Sequence, residues 1–141
     1  MSFLQGFEIS ASGLRTQRSR MNVISSNLAN AETTRTANGG PYLRKQVVLR
    51  AQPMQSFDAH LEGAVHGVEV QGVQEDTQTP TQRVYDPGHP DADGAGYVEL
   101  PNVNVLEEMV DMITASRSYE ANATAFDTLK SMAQRALQIG S

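Results

Sequence analysis

All six prolines of this 141-residue chain (41, 53, 80, 87, 90 and 101) fall between residues 41 and 101, so both ends are free of proline. Proline inside a helix removes a backbone donor and clashes with the preceding turn, at a cost of about 3 kcal/mol. Only the two ends can therefore carry long uninterrupted helices, and the Pro- and Gly-punctuated middle reads as loops and short strands. Charge divides the chain similarly. Residues 1–35 hold four arginines against two glutamates, residues 36–100 four bases against nine acids, and residues 101–141 three bases against five acids. The expected fold is mainly α with a small β-rich insert. Its parts are an N-terminal helix over 1–35, a middle segment over 36–103, and a C-terminal helix over 104–141.

Periodicity supports both helices. Phe7, Leu14, Met21 and Leu28 recur every seven residues, with Phe3 and Ile24 in one adjoining row and Leu4 and Ala11 in the other. A strict seven-residue repeat makes a stripe as narrow as a coiled-coil seam. Ser2 and Gln5 fit a capping box, while Gly6 and Gly13 weaken the early turns by roughly 1 kcal/mol each. The β-branched run 33–36 and the turn Asn38-Gly39-Gly40-Pro41 predict that this helix stops near Asn30. In the C-terminal stretch, Asn104 and Glu107 form an N-cap pair behind Pro101. Glu107, Glu108 and Asp111 load the first turns, Lys130 and Arg135 sit late, and Gly140 is placed for C′. One stripe runs through Val105, Met109, Met112, Ser116, Tyr119, Ala123, Phe126, Ala133 and Leu137, and a second through Ala125, Leu129, Met132, Ala136 and Ile139. Two stripes call for two neighbours, and the chain offers one other long helix, which points to oligomerisation.

The middle alternates as strands do over 42–50 and 68–71, with shorter candidates at 83–85 and 97–100 and a loop over 53–66. So few large residues alternate here that this sheet is expected to lean on a partner.

Catalytic chemistry finds little to work with. The chain has no Cys, and its three histidines (60, 66 and 89) share no ligand-like spacing. No HExxH, GxSxG or phosphate-cradling GK[ST] occurs. Asp91, Asp93 and Gly96 match positions 1, 3 and 6 of a calcium loop, but Ala95 and Asn102 stand where a ligand and the bidentate Glu belong. Turn formation by Asp, Pro and Gly accounts for the same residues; a small calcium-binding module is the alternative function. The net charge of -5 argues against nucleic acid as the main partner. No apolar run approaches the ~18 residues of a membrane span, and no apolar leader segment is expected. No enzyme activity, metal or cofactor is expected.

Asn27 and Asn30, three apart and flanking Leu28, admit two readings. They are polar residues at a helix C-terminus, or amides set against another helix to define its register. The run Ser26-Asn27-Leu28-Ala29-Asn30 resembles the N-terminal motif of the bacterial flagellar rod and hook axial proteins. Gly39-Gly40-Pro41-Tyr42, Val84-Tyr85-Asp86-Pro87-Gly88-His89-Pro90, Gly96-Tyr97-Val98, Pro101-Asn102-Val103, Glu108-Met109-Val110, Ser116-Arg117-Ser118-Tyr119-Glu120-Ala121-Asn122 and Lys130-Ser131-Met132 narrow the resemblance to proximal rod proteins. It covers nearly the whole chain and is weakest over 51–82.

That resemblance implies a non-enzymatic subunit of the torque-transmitting rod in the basal body, crossing the periplasm. Its end helices would pair as an antiparallel coiled coil near the rod axis, with the middle segment outward. Its partners would be copies of itself, other rod proteins, the membrane-embedded ring and the flagellar type III export apparatus, which it would pass without cleavage. The implied assembly interface is Phe7, Leu14, Met21, Asn27, Leu28 and Asn30, facing Met112, Tyr119, Ala123, Phe126 and Met132.

Overall fold

A computed structural model of the chain describes residues 3–53 and 66–139. Ser2 of the expected capping box, most of the 53–66 loop, and Gly140 lie outside the described residues. Helix α1 spans Phe3–Ala29; strands β1 (Lys45–Pro53), β2 (His66–Glu75), β3 (Gln82–Tyr85) and β4 (Tyr97–Leu100) follow; helix α2 spans Val105–Ile139. The strands pair as two separate antiparallel hairpins, β1 with β2 and β3 with β4. The chain is thus two long helices with a small two-hairpin insert.

Helix α1 closes where the β-branched run begins. The Asn30 amide donates to both Ser26 and Asn27 carbonyls, at 3.1 and 3.2 Å, which tightens the last turn. Thr36 then turns the chain back through Gly39 and Gly40, whose φ angles of 81° and 77° suit glycine. The returning Tyr42 amide donates to the Thr33 carbonyl at 3.0 Å. At the other helix, Asn104 Oδ1 accepts the Leu106 amide at 3.1 Å, the expected N-cap, and Glu107 and Glu108 fill the first turn. The last turn of α2 carries no basic residue. Lys130 and Arg135 therefore stop short of the terminus, where the macrodipole field is felt, and the expected charge match holds at one end only.

The strand predicted over 42–50 starts three residues later. Residues ahead of it spend their backbone groups elsewhere: Tyr42 on Thr33, and the Arg44 amide on Asn102 Oδ1 at 2.7 Å. Within the first hairpin, Lys45 stands opposite Glu75 and Arg50 opposite Glu69, each an opposite-charge cross-strand pair. The register slips between Val48 and Leu49, where Gln71 has no partner. That bulge has a sequence cause. The valines of β2 at 68, 70 and 73 change phase after 70, and one extra residue keeps Val73 opposite Val47 and Val70 opposite Leu49.

The two helices run antiparallel and keep one register over about six turns. A Cβ placed on Gly6 would lie 3.1 Å from Leu129 Cδ1, and one on Gly13 would lie 2.8 Å from Asn122 Oδ1. Asn27 meets Glu108 further along. Each step advances by seven residues or a multiple of seven on both helices, so Gly6, Gly13 and Asn27 form one heptad row and Leu129, Asn122 and Glu108 another. Ala115, with no exposed surface, continues the second row. The glycines are therefore close-approach points, a role their helix propensity hides. The hairpin β1–β2 packs on another side of α1, where Ser12 Oγ accepts the Val68 amide at 3.3 Å.

Candidate assembly surface and its polar anchor

The buried centre of the fold is polar. Asn27 is 1% exposed and Glu108 0%. Asn27 Oδ1 accepts from the Lys45 amide and from Tyr42 Oη, both at 2.9 Å. Its Nδ2 donates to the Lys45 carbonyl at 2.9 Å and to Glu108 Oε2 at 3.0 Å. All four hydrogen-bonding positions of the amide are used: it pairs with Lys45 as one strand residue pairs with another, accepts Tyr42 Oη, and holds the start of α2 with its last donor. The other Glu108 oxygen accepts Arg44 Nε at 2.6 Å, and Arg44 also reaches Asp111 at 3.6 Å. Asn102 extends the network, accepting the Arg44 amide and donating to the carbonyls of Asp76 and Thr79 at 2.8 and 3.0 Å. A buried carboxylate is tolerated where a guanidinium and an amide saturate it in this way. The network ties the end of α1, the root of β1, the 76–79 turn and the first turn of α2 into one knot.

Asn30 behaves differently. Its Nδ2 donates to the Ser26 carbonyl at 2.8 Å and its Oδ1 accepts Thr33 Oγ1 at 3.2 Å, both within the helix end. Of the two readings of these asparagines, the local one describes Asn30, and the inter-helix one describes Asn27 within the subunit.

The apolar residues expected on the interface occupy a row beside the seam. Phe7 meets Phe126 edge to face, with ring centroids 5.0 Å apart. The same antiparallel register sets Leu14 level with Tyr119, Met21 with Met112, and Leu28 with Val105. Phe7, Leu14, Met21, Leu28, Met112, Ala123 and Phe126 are half-buried, whereas Tyr119 and Met132 are exposed. The row that faces directly inward is instead the one holding Gly6, Gly13 and Asn27. Of that row the sequence reading singles out Asn27 alone; it gives no such role to Gly6, Gly13, Tyr42, Arg44, Asn102 or Glu108. The seven-residue spacing of Gly6, Gly13 and Asn27 was its signal.

The loop that resembles a calcium site is occupied with its own hairpin. Asp93 Oδ1 accepts the Ala95 and Tyr97 amides, both at 2.9 Å, and Oδ2 accepts Arg83 at 2.7 Å. The Tyr97 amide above all, with the Ala95 amide and the Arg83 guanidinium, holds this carboxyl below the ordinary carboxylate value. Asp91 accepts Thr34 Oγ1 at 2.8 Å and lies 3.6 Å from Arg35. Gly96 closes the turn at a φ of 80°, with a would-be Cβ 2.9 Å from Tyr85. Among the described residues no three His, Asp or Glu side chains gather into a metal-sized cluster, and no helix is long and apolar enough to cross a membrane. Nothing favours the calcium alternative.

Comparison with known proteins matches the helical ends to two family models. Residues 7–35 match "Flagella basal body rod protein", and residues 95–139 match "Flagellar basal body rod FlgEFG protein C-terminal". The chain is 45% identical over 140 residues to the flagellar basal-body rod protein FlgC of Salmonella typhimurium, covering 99% of each. It is 45% identical over 151 residues to FlgC of Bacillus subtilis, again covering 99% of each. To FlgC of Borreliella burgdorferi it is 43% identical over 150 residues, covering 99% of this chain and 98% of that protein.

Proposed function

The chain belongs to the FlgC family of flagellar basal-body rod proteins, and from that premise we propose how it works as a structural subunit of the rod. It is a building block rather than a catalyst. Its paired end helices act as a coiled coil, and copies assemble with one another and with other rod proteins into the torque-transmitting shaft. The row of Phe7, Leu14, Met21 and Leu28 with Met112, Ala123 and Phe126, half-buried, together with the exposed Tyr119 supplies the contact surface, and Met132 belongs to a further one. Asn27 serves that surface from inside, by holding the two helices in register; Asn30 shapes the helix end beside it. The subunit reaches its place across the periplasm through the flagellar type III export apparatus and adjoins the membrane-embedded ring.

The observation that carries this reading is similarity along essentially the full length to rod proteins from distant bacteria, joined to a helix pair whose apolar row the chain itself only half covers. Stiffness follows from such packing, because interlocked side chains must leave their holes before helices slide. Deleting the gene and restoring it in its own host, with motility and the protein content of purified basal bodies as readouts, tests the assignment. A motile deletion strain, or basal bodies free of the protein, would falsify it.

A further inference from the structure

The β1–β2 hairpin is fastened unevenly to the rest of the chain. The knot holds its root. Lys45 gives both its amide and its carbonyl to Asn27, the Asp76 amide donates to the Arg44 carbonyl at 2.7 Å, and Asn102 holds the Asp76 carbonyl. At the far end, among the described residues, one hydrogen bond joins β2 to α1, from the Val68 amide to Ser12 Oγ at 3.3 Å. Val68 stands opposite Ala51, so Lys45 and Ala51 lie level with Asn27 and Ser12 of the helix. The strand from 45 to 51 and the helix from 27 to 12 each cover about 20 Å, which lays the ribbon along α1.

The seat of the far half is polar. Ser12 and Thr16 are one turn apart on the same face of α1, and both are buried. Thr16 Oγ1 has no partner among the described residues, so the closed arrangement carries the desolvation cost of a hydroxyl that water would satisfy. Little apolar contact offsets that cost. The buried residue of β2 is Gly67, which has no side chain to pack; Val70 is half-buried and the rest of the strand is exposed. Leu49, Val68 and Val73 share one face of the ribbon, and each is at least 40% exposed.

We propose that the β1–β2 hairpin is a hinged arm, which lifts from α1 as one unit about its root and leaves the knot and the helix pair in place. Lifting breaks the bond between Val68 and Ser12 and wets Ser12 and Thr16, whose hydroxyls then bond to water. The ribbon keeps its own ladder. Lys45 and Val68 turn their amides outward, to Asn27 and Ser12, so the alternation of an antiparallel pair turns those of Arg50 and Glu69 toward each other. Two settings are thereby separated. Asn27 and Glu108 define the register of the helices, while the Ser12–Thr16 seat defines the angle of the arm. The arm can change its angle against a neighbour without the helices sliding. This goes beyond the rod-subunit reading and is decided on the isolated chain, independently of it.

Amide hydrogen exchange of the purified chain, followed residue by residue by NMR, tests the hinge. With intrinsic rates divided out, the Val68 amide should exchange roughly tenfold faster or more than the Lys45 amide, while Arg50 and Glu69 stay on the slow side with Lys45. Thr16→Val removes the unsatisfied hydroxyl from the closed arrangement and should slow Val68 by about threefold or more. Protection of Val68 equal to that of Lys45 would overturn the proposal, because arm and root would then open only together. Exchange at Arg50 and Glu69 as fast as at Val68 would overturn it too, by showing that the ribbon melts instead of lifting. An unchanged Val68 rate in Thr16→Val, with circular dichroism matching the parent, would also count against it, since the seat would then not set the balance between docked and lifted arms.

Discussion

Replacing Asn27 by Ala should destabilise the isolated subunit by about 3–4 kcal/mol, even though alanine is the better helix former by about 0.7 kcal/mol. The side chain makes four hydrogen bonds, three to neutral groups and one to the carboxylate of Glu108. Neutral bonds contribute about 1 kcal/mol each, and a bond to a charged group about 1.5–3 kcal/mol. Two partners keep a second contact: Tyr42 Oη lies 3.3 Å from Ser26 Oγ, and Glu108 keeps Arg44. That retention lowers the total to the figure given. Asn27→Asp isolates the donor half. It keeps the acceptor for Lys45 and Tyr42 but sets a second carboxylate oxygen about 3.0 Å from Glu108 Oε2. Its deficit should match or exceed that of Ala, because two carboxylates then face each other in a buried site. Asn30→Ala is the control, at about 1 kcal/mol or less, because its bonds are local to the helix end. Urea denaturation followed by circular dichroism measures all three. Equal small losses for Asn27→Ala and Asn30→Ala would refute the idea of a buried knot and return both residues to helix-end roles.

Other changes probe the seam and the hairpin. Gly13→Ala should forfeit the usual helix gain of about 1 kcal/mol, because its Cβ would stand 2.8 Å from Asn122 Oδ1; pairing it with Asn122→Ala should recover that gain, giving a measurable coupling in a double-mutant cycle. Thr16 Oγ1 is the buried side-chain oxygen without a partner among the described residues, so Thr16→Val should raise stability by about 1 kcal/mol in the same urea assay. The lowered pKa of Asp93 means its stabilisation of the β3–β4 hairpin is complete above the ordinary value of 3.8 and disappears as pH falls through the lower folded value. The Tyr97 amide, followed by NMR in an acid titration, should shift in that window, and Asp93→Asn should abolish the shift.

The helices were legible because their signals are local. Val105 to Ile139 could be read from a cap residue, a charged first turn and a 3.6-residue period, and none of those depends on distant contacts. Strand boundaries were less so: β1 begins at Lys45 rather than Tyr42 because Thr33, across the preceding turn, and Asn102, far away in sequence, take the backbone groups in between. Glu108 shows the same limit more sharply. By position it is an ordinary acidic residue of a first helical turn, and only Arg44 and Asn27, 64 and 81 residues earlier, make it a buried anchor. The row of closest approach between the helices has a subtler cause. Apolar residues at heptad spacing read as the seam, yet here Gly6, Gly13, Asn27, Ala115 and Asn122 lie on it with Leu129 as its large apolar member, and the other large side chains stand one position aside.

That displacement bears on what the helix pair is for. A self-sufficient two-helix coiled coil puts its large apolar residues inward and charged ones on the flanks. Here, apart from Leu129 against Gly6, the inward rows are small or polar, which brings the backbones close and sets their register through Asn27 and Glu108. At about 25 cal/mol per Å² of apolar surface, most of the stabilisation this pair can gain resides in the flank row and in the outward face of α2. Both become fully dry only against other helices. On the rod-subunit reading proposed above, the knot at one end would set the subunit's shape before assembly, and the uncovered rows would supply the driving force during it.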